Sequence, residues 1–337
     1  MRIIAGIVAS CMALLAGVGT ACAAETTIRV GGLTEPVLVG IGKGWFKEAG
    51  LNVEVTELPN ILQYSNLLAS SSIDILDGYL PATFWNMVLA GAKFRIIAGS
   101  ALAVAGKDGA PARNPRAYLA RKDLYDAGAV RRVDDFAGRK IADFVPVPAK
   151  GKISPFPVTH RIFGEKYKEV DWIYLPNESS ILAALESRHI DGARLTTRWA
   201  KIAIERGLAV DIAKETDFVD RIQVRLVVGR GDFLAANEDA VARFLKVRLR
   251  AEAYVREVQA GRYAAEFKAL VAKTSQTPPD TALELTQELA FTDEIASDDL
   301  LTQQQHFVKV GIQKSVVPLE EVIDLKYLKR AAALSDR

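Results

Sequence analysis

At 337 residues the chain is about twice the size of a typical single domain, so two structural units are expected. Lys and Arg number 43 against 41 Asp and Glu, a balance that argues against a nucleic-acid protein, which shows a basic excess or stripe. Half of the residues are apolar and a quarter are charged, as in an ordinary soluble globular protein.

The chain opens with Met1-Arg2, runs through apolar and small residues from Ile3 to Gly19, and reaches Ala21-Cys22-Ala23-Ala24. That pattern reads as a secretory signal cleaved after Ala24, too short and too soon followed by charge to be a membrane span. Lipidation at Cys22 is the alternative, weakened by Gly19 where a larger aliphatic residue is usual. Both cysteines, Cys11 and Cys22, fall in this segment. The mature protein is therefore expected to hold no disulfide, thiolate metal site or cysteine nucleophile.

Thr27 to Val30 alternates as a strand, and Val37 to Ala49 follows as an amphipathic helix closed by Gly50, with Leu51 to Val55 as the next strand. This β-α-β unit predicts parallel pairing. A helix over Ile61 to Ser70, a strand at Ile73 to Leu76, a helix over Thr83 to Ala90 and a strand at Phe94 to Ala98 complete an alternating layer. After a Gly- and Pro-rich loop from Gly106 to Pro115, a short strand at Ala117 to Ala120 leads outward and the plan restarts. A helical turn at Val133 to Gly138 is followed by strands at Lys140 to Phe144, Asp171 to Leu175 and Ile190 to Ala193, with helices over Val158 to Lys166 and Ser180 to Ser187 and one around Trp199. Ile222 to Val228 reads as a returning strand. The tail is helical, over Val241 to Val258, Tyr263 to Ala272, Thr281 to Leu289 (capped by Asp280), Leu300 to Val310 and Leu319 to Ala333.

One phrase occurs twice. SSIDILDGYLPATFW begins at Ser71 and SRHIDGARLTTRW at Ser187, each an Ile-Asp pair after an apolar helix, with Trp further on. The echo marks one strand-to-loop step in each unit. Asp74 and Asp191 are expected to be structural strand-end groups, and the differing residues after them to face a ligand.

The order IRVGGLTEP, GKGWFKEAGLNVEV, SSIDILDG, AGAKFRIIAG, VDDFAGRKIADF, ILAALESRHIDGA and VIDLKYLKRA resembles the solute-binding proteins of ABC importers for nitrate, sulfonates, taurine and thiamine precursors. The resemblance implies a two-lobed α/β periplasmic binding protein fold of type II. Each lobe would be a mainly parallel sheet flanked by helices, joined by two crossover strands, with a helical C-terminal tail. Lobe I would take residues 25–116 and 225–337 and lobe II 117–224, with the hinge near 117–121 and 224–229. It further implies a periplasmic monomer that takes a small anionic organic solute, sulfonate or taurine-like or an aromatic or carboxylic acid, into the interlobe cleft and delivers it to an ABC permease and its ATPase. No cofactor, metal or nucleic acid is expected. The alternatives are a thiamine-precursor pyrimidine or other heterocycle as ligand, and a periplasmic enzyme on the same fold.

Ligands of open parallel sheets bind beyond the carboxyl ends of the strands, where helix N-termini favour anions. That rule points to Thr34 and Glu35 after the first strand, Tyr79, Leu80, Pro81 and Thr83 after the third, and Ser100 after the fourth. In the second unit it points to Ser154 and Phe156, with Thr159 as the rival hydroxyl, and to Arg194 and Thr197. Glu35 is unsuited to an anion and fits a helix cap or an amine. Arg194 is the best cation for an oxyanion, its alternative being a surface salt bridge, for example to Glu178. Thr83 and Asp77 could equally cap helices. Trp45 and Trp199 read as core. Enzyme chemistry finds little support: His160, His189 and His306 lack metal spacing, and G-x-S-x-G is absent.

Overall fold

A computed structural model describes residues 25–58, 63–113, 116–144 and 157–335. The signal-like segment, Cys22, Ser154 and Phe156 lie outside the described residues. The first half of the first unit contains β1 (Thr26–Gly31), α1 (Glu35–Gly42), α2 (Trp45–Glu48), β2 (Leu51–Thr56), α3 (Tyr64–Ala69), β3 (Ile75–Gly78), α4 (Ala82–Leu89) and β4 (Phe94–Val104). The helix expected over Val37 to Ala49 is broken in two, because Gly44 adopts φ 74°, a left-handed conformation that stops α1 and starts α2.

The second unit consists of β5 (Arg116–Arg121), α5 (Lys122–Asp126), β6 (Lys140–Asp143), α6 (Pro157–Phe163), β7 (Asp171–Tyr174), α7 (Glu178–Glu186), β8 (Gly192–Thr196), α8 (Thr197–Glu205) and β9 (Ala209–Lys214). The chain then returns as β10 (Arg221–Arg230), followed by α9 (Gly231–Ala236), α10 (Glu238–Gln259), α11 (Ala264–Thr274), α12 (Pro279–Thr286), β11 (Ala290–Phe291), α13 (Ser297–Lys309), α14 (Leu319–Val322) and α15 (Lys326–Ala333). Asp280 is not a cap: Pro278 holds that position, and Asp280 sits in the first turn and pairs with Lys268. The last expected helix is interrupted where Ile323 bridges Ile96 and Asp324 donates its N–H to the Ile96 carbonyl, so β4 draws those residues out of helical geometry.

The strands form two sheets, ordered β11-β4-β10-β3-β1-β2 and β7-β6-β8-β5-β9. Both are mixed. β2, β1 and β3 run parallel, and β10 inserts antiparallel between β3 and β4, which leaves β4 running with the first three. In the second sheet β7, β6 and β8 run parallel, and β5 inserts antiparallel between β8 and β9. The chain passes from the first sheet to the second between Val104 and Arg116, and back between Lys214 and Arg221. The segments expected to cross thus run within the sheets, as the two inserted strands.

Read outward from the inserted strand's far neighbour, the sheets superpose in plan: β4-β10-β3-β1-β2 against β9-β5-β8-β6-β7. The Ile-Asp echo occupies matching places in that plan. Ser71 and Arg188, each three residues before the Asp, share φ 59°. The N–H of Asp74 donates to the Arg29 carbonyl at 2.7 Å, and its carboxylate accepts the Arg29 N–H at 3.0 Å. Asp191 does the same with Lys140, at 2.8 and 2.9 Å. An arginine of the inserted strand then donates its N–H to the Asp carbonyl and its guanidinium to the Asp carboxylate, Arg230 to Asp74 and Arg121 to Asp191. Each Asp therefore staples three strands at their entry. Asp74 is 2% exposed and also receives the Arg29 guanidinium, so Asp74→Ala is expected to cost about 2–3 kcal/mol. The half-exposed Asp191 should cost less when replaced, and urea unfolding midpoints of the two variants check that order.

Candidate functional site

On the first wall the loop after β1 and the strands β3 and β4 converge on one carboxylate, that of Asp77 within β3; Ser100, expected after the fourth strand, lies inside β4, which runs on to Val104. Thr34 donates to its Oδ2 at 2.9 Å, Ser100 to its Oδ1 at 2.6 Å, and the Arg248 Nε of α10 to Oδ2 at 2.8 Å. Arg248 also donates to Glu252, one turn on in α10. Gly32 is required here, because φ is 96° and a Cβ would stand 2.6 Å from the Asp77 carbonyl oxygen. Thr34, Asp77, Ser100, Arg248 and Glu252 are all buried. Burial pushes the Glu252 carboxyl up to about 7, with the Arg248 guanidinium opposing the rise.

The second wall is built around Arg194, which is fully buried in the middle of β8. Its Nε and one terminal nitrogen donate to Glu215 Oε1 at 2.8 and 2.6 Å, and its other terminal nitrogen lies 3.3 Å from Asp143 Oδ2. Arg116, at the start of β5, stands 3.9 Å from Glu215 Oε2. Thr159 is also buried, its hydroxyl 3.2 Å from that of Tyr118. Glu178 of α7 is not the partner of Arg194; its carboxylate accepts the Thr196 N–H at 2.7 Å and so caps α8.

Between the walls, Glu35 at the head of α1 pairs with Arg225 of β10. Thr197, the first residue of α8, hydrogen-bonds the carboxyl of Glu288, which follows α12, with Arg116, Glu35 and Arg225 nearby. Burial raises the Glu288 carboxyl to about 8. Tyr79, Arg116 and Gln223 line a narrow gap of about 10 Å³, room for about one water. A wider cavity of about 410 Å³ lies between α8 and α12, walled by Thr197, Arg198 and Lys201 on one side and Thr281, Glu284 and Glu288 on the other. Further along the same seam, Lys309 of α13 donates to Glu165 at 3.0 Å, and Arg161 of α6 donates to Thr302 at 3.2 Å.

No family model matches the chain, and no curated protein does. Solved structures do. The aliphatic sulphonate binding protein SsuA of Escherichia coli is 16% identical, with a TM-score of 0.66 over 88% of this chain and 92% of that one. The nitrate-binding protein NrtA of Synechocystis PCC 6803 is 12% identical, with a TM-score of 0.64 over 91% of this chain and 88% of that one. The desulfurization enzyme DSZB is also similar, at 12% identity and a TM-score of 0.61 over 91% of this chain and 99% of that one. The chain has the periplasmic binding protein fold.

In this periplasmic binding protein fold the expected residues divide into two groups. Tyr79, Glu35 and Thr197 come together between the sheets, with Arg116, Arg225, Glu178 and Glu288 around them. Thr34, Ser100 and Arg194 stand behind that surface in hydrogen-bonded networks, Leu80 and Pro81 are buried at the start of α4, and Thr83 is exposed on that helix. Trp45 and Trp199 pack on the cores as expected, Trp45 beneath the Arg250 guanidinium at 3.9 Å. Sequence reasoning missed four charged residues. Arg116 and Arg225 sit on strands that read only as connections, and Glu288 lies at the end of a tail that read only as helix. Glu178 was weighed only as a partner for Arg194. Among the described residues no group of three or more His, Cys, Asp or Glu could hold a metal, and no helix is long and apolar enough to cross a membrane.

Proposed function

We propose that the protein is the substrate-binding component of an ABC importer, which holds a small organic solute between its two lobes and presents it to a permease. The observation that carries the reading is the meeting of Tyr79 and Glu35 from one sheet with Arg116 and Thr197 from the other, in a fold shared with sulphonate- and nitrate-binding proteins. The lobes would be residues 25 to about 110 with about 218–337, and the stretch between. The two passages between the sheets would be the hinge about which the cleft opens. The role would be periplasmic, monomeric and free of catalysis.

The sulfonate, taurine-like or carboxylate class expected from the sequence leaned on Arg194, whose guanidinium is committed to Glu215 and Asp143. The heterocycle alternative gains from Glu178 and Glu288, whose carboxyls can accept from ring or amino N–H groups. The test is thermal unfolding of the purified protein against sulfonates, nitrate, carboxylates, aromatic acids, amines and pyrimidines. A true ligand at a hundredfold excess over its Kd should add about 2.7 kcal/mol of stability. No response to any class would overturn the import reading, and conversion of a bound ligand to product would replace it with the enzyme that DSZB shows this fold can support.

A further inference from the structure

We infer that the seam between the two units carries a pH-sensitive latch: Lys309 of α13 holds the cleft closed by bonding to Glu165 and to a neutral His160 on the other side, and a proton on His160 releases it. The inference rests on the two-lobe reading and is independent of which solute is bound. α6 packs on the second sheet, with the Phe163 ring 5.4 Å from that of Tyr118 in β5 and 5.5 Å from that of Trp172 in β7. A 3₁₀ turn, Gly164–Lys168, follows it. α13 packs on the first sheet, where Leu300 and Phe307 are buried with Ile96 of β4 and Leu226 of β10. Across the seam the Lys309 ammonium donates to Glu165 Oε1 at 3.0 Å and lies 2.7 Å from His160 Nε2.

The hydrogen bonds of His160 fix its tautomer. A lysine ammonium only donates, so Nε2 accepts and carries no hydrogen. Nδ1 stands 3.2 Å from the Gly164 carbonyl, which only accepts, so Nδ1 carries the hydrogen. The ring is therefore neutral while Lys309 is docked. A proton on Nε2 would remove the lone pair that Lys309 uses and set two cations 2.7 Å apart. It would also create a new ion pair, because Glu165 Oε1 already stands 3.6 Å from Nε2. Glu165 stays ionised here, since Lys168 and Lys309 hold its carboxyl down at about 2. Lys168 belongs to the same turn as Glu165 and pairs with it in either state. Protonated His160 thus exchanges a contact between the units for one inside the second unit, and the tie to Lys309 is lost.

The groups that face His160 come from two sides. From its own unit they are Glu165 and Tyr167, with Lys168 behind both. From α13 they are Lys309 and the ring of His306, 6.4 Å away. Arg161, next on α6, donates to Thr302, and Lys166 of the turn pairs with Asp134 at 3.4 Å. Only the two histidines are of a type that changes charge between pH 5 and pH 8. The other edge of the seam supplies a control. There Lys201 of α8 lies 3.5 Å from Glu284 of α12, beside a cavity whose lining holds no histidine among the described residues. That pair ties the same two units without a group that a proton switches in this range.

The experiment is double electron–electron resonance at pH 5 and pH 8 on the full chain with Cys11→Ser and Cys22→Ser. The spin labels are placed by Glu169→Cys, after the turn, and Lys314→Cys, beyond α13, two exposed positions on opposite sides of the seam. The expected result is a short distance that dominates at pH 8 and a longer one that gains at pH 5. The ratio of open to closed forms should rise about two- to fivefold, the worth of one exposed ion pair. Lys309→Met should be as open at pH 8 as the parent is at pH 5, with no further response to acid. His160→Gln, whose side-chain carbonyl still accepts from Lys309, should keep the pH 8 distribution at both pH values. Glu284→Gln should keep the parent's response to pH. A parent distribution that ignores pH, a His160→Gln protein that still responds, or a response abolished by Glu284→Gln would overturn the latch. If Lys309→Met opens the protein all the same, the two-lobe reading stands; one fixed distance in every variant at both pH values would overturn the moving lobes as well.

Discussion

Arg194→Ala is expected to destabilise the protein by about 3–5 kcal/mol, the range found when one partner of a buried ion pair is removed. The guanidinium has no exposed surface and answers two carboxylates, Glu215 through two hydrogen bonds and Asp143 through a longer contact. Those carboxylates hold Arg194 firmly protonated against the opposing effect of burial. Without it, Asp143 and Glu215 remain fully buried, with Arg116 as the nearest cation to Glu215 at 3.9 Å. Arg194→Lys should recover part of the loss, because an ammonium restores charge but not the fork that reaches two acids at once. Urea unfolding measures both variants. A variant as stable as the parent that has lost ligand affinity would return Arg194 to the ligand contact its place in the sequence suggested.

What was legible in the sequence, and what was not, follows the range of the interaction concerned. Alternation in Thr27 to Val30 and Leu51 to Val55 is a local signal, and β1 and β2 form in register from Thr26 against Leu51 onward. The Ile-Asp echo is local too, and its two copies occupy equivalent strands. β9 was missed because Ala209 to Lys214 is an edge strand buried only at Ala209 and Ala213, so its alternation is weak. β11 has two residues and carries no pattern at all. The site depended on pairings that no window spans. Arg194 finds Asp143 at a separation of 51 residues, Asp77 finds Arg248 at 171, and Glu35 finds Arg225 at 190. Residue type told that Arg194 wanted an oxyanion; only the fold shows that the oxyanions are the protein's own. A buried arginine and a ligand-binding arginine look alike until their partners are known.

Arg248→Ala carries the same argument to the other wall, with an added dependence on pH. Asp77 follows Asp74 by three residues, as Arg194 follows Asp191, so the two lobes bury opposite charges at one position of their shared plan. The expected cost is about 3–5 kcal/mol at pH 8. It should shrink at pH 5. Glu252 has its carboxyl raised to about 7, so the folded state already holds a proton there that the unfolded chain gives up above about pH 4.5. Removing Arg248 takes away the group that opposes this rise and leaves Asp77 and Glu252 facing each other without a cation. Glu252 then binds its proton more tightly still in the folded state than in the unfolded one, and stability falls as pH rises through that window. Urea midpoints at pH 5 and pH 8 read the difference directly. The double variant Asp77→Asn, Arg248→Met at pH 6 separates charge from packing. It should recover much of the single variant's loss, because replacing both halves of a buried pair leaves little uncompensated charge. A double variant no more stable than Arg248→Ala would place the cost in the lost packing of the arginine stem within the wall.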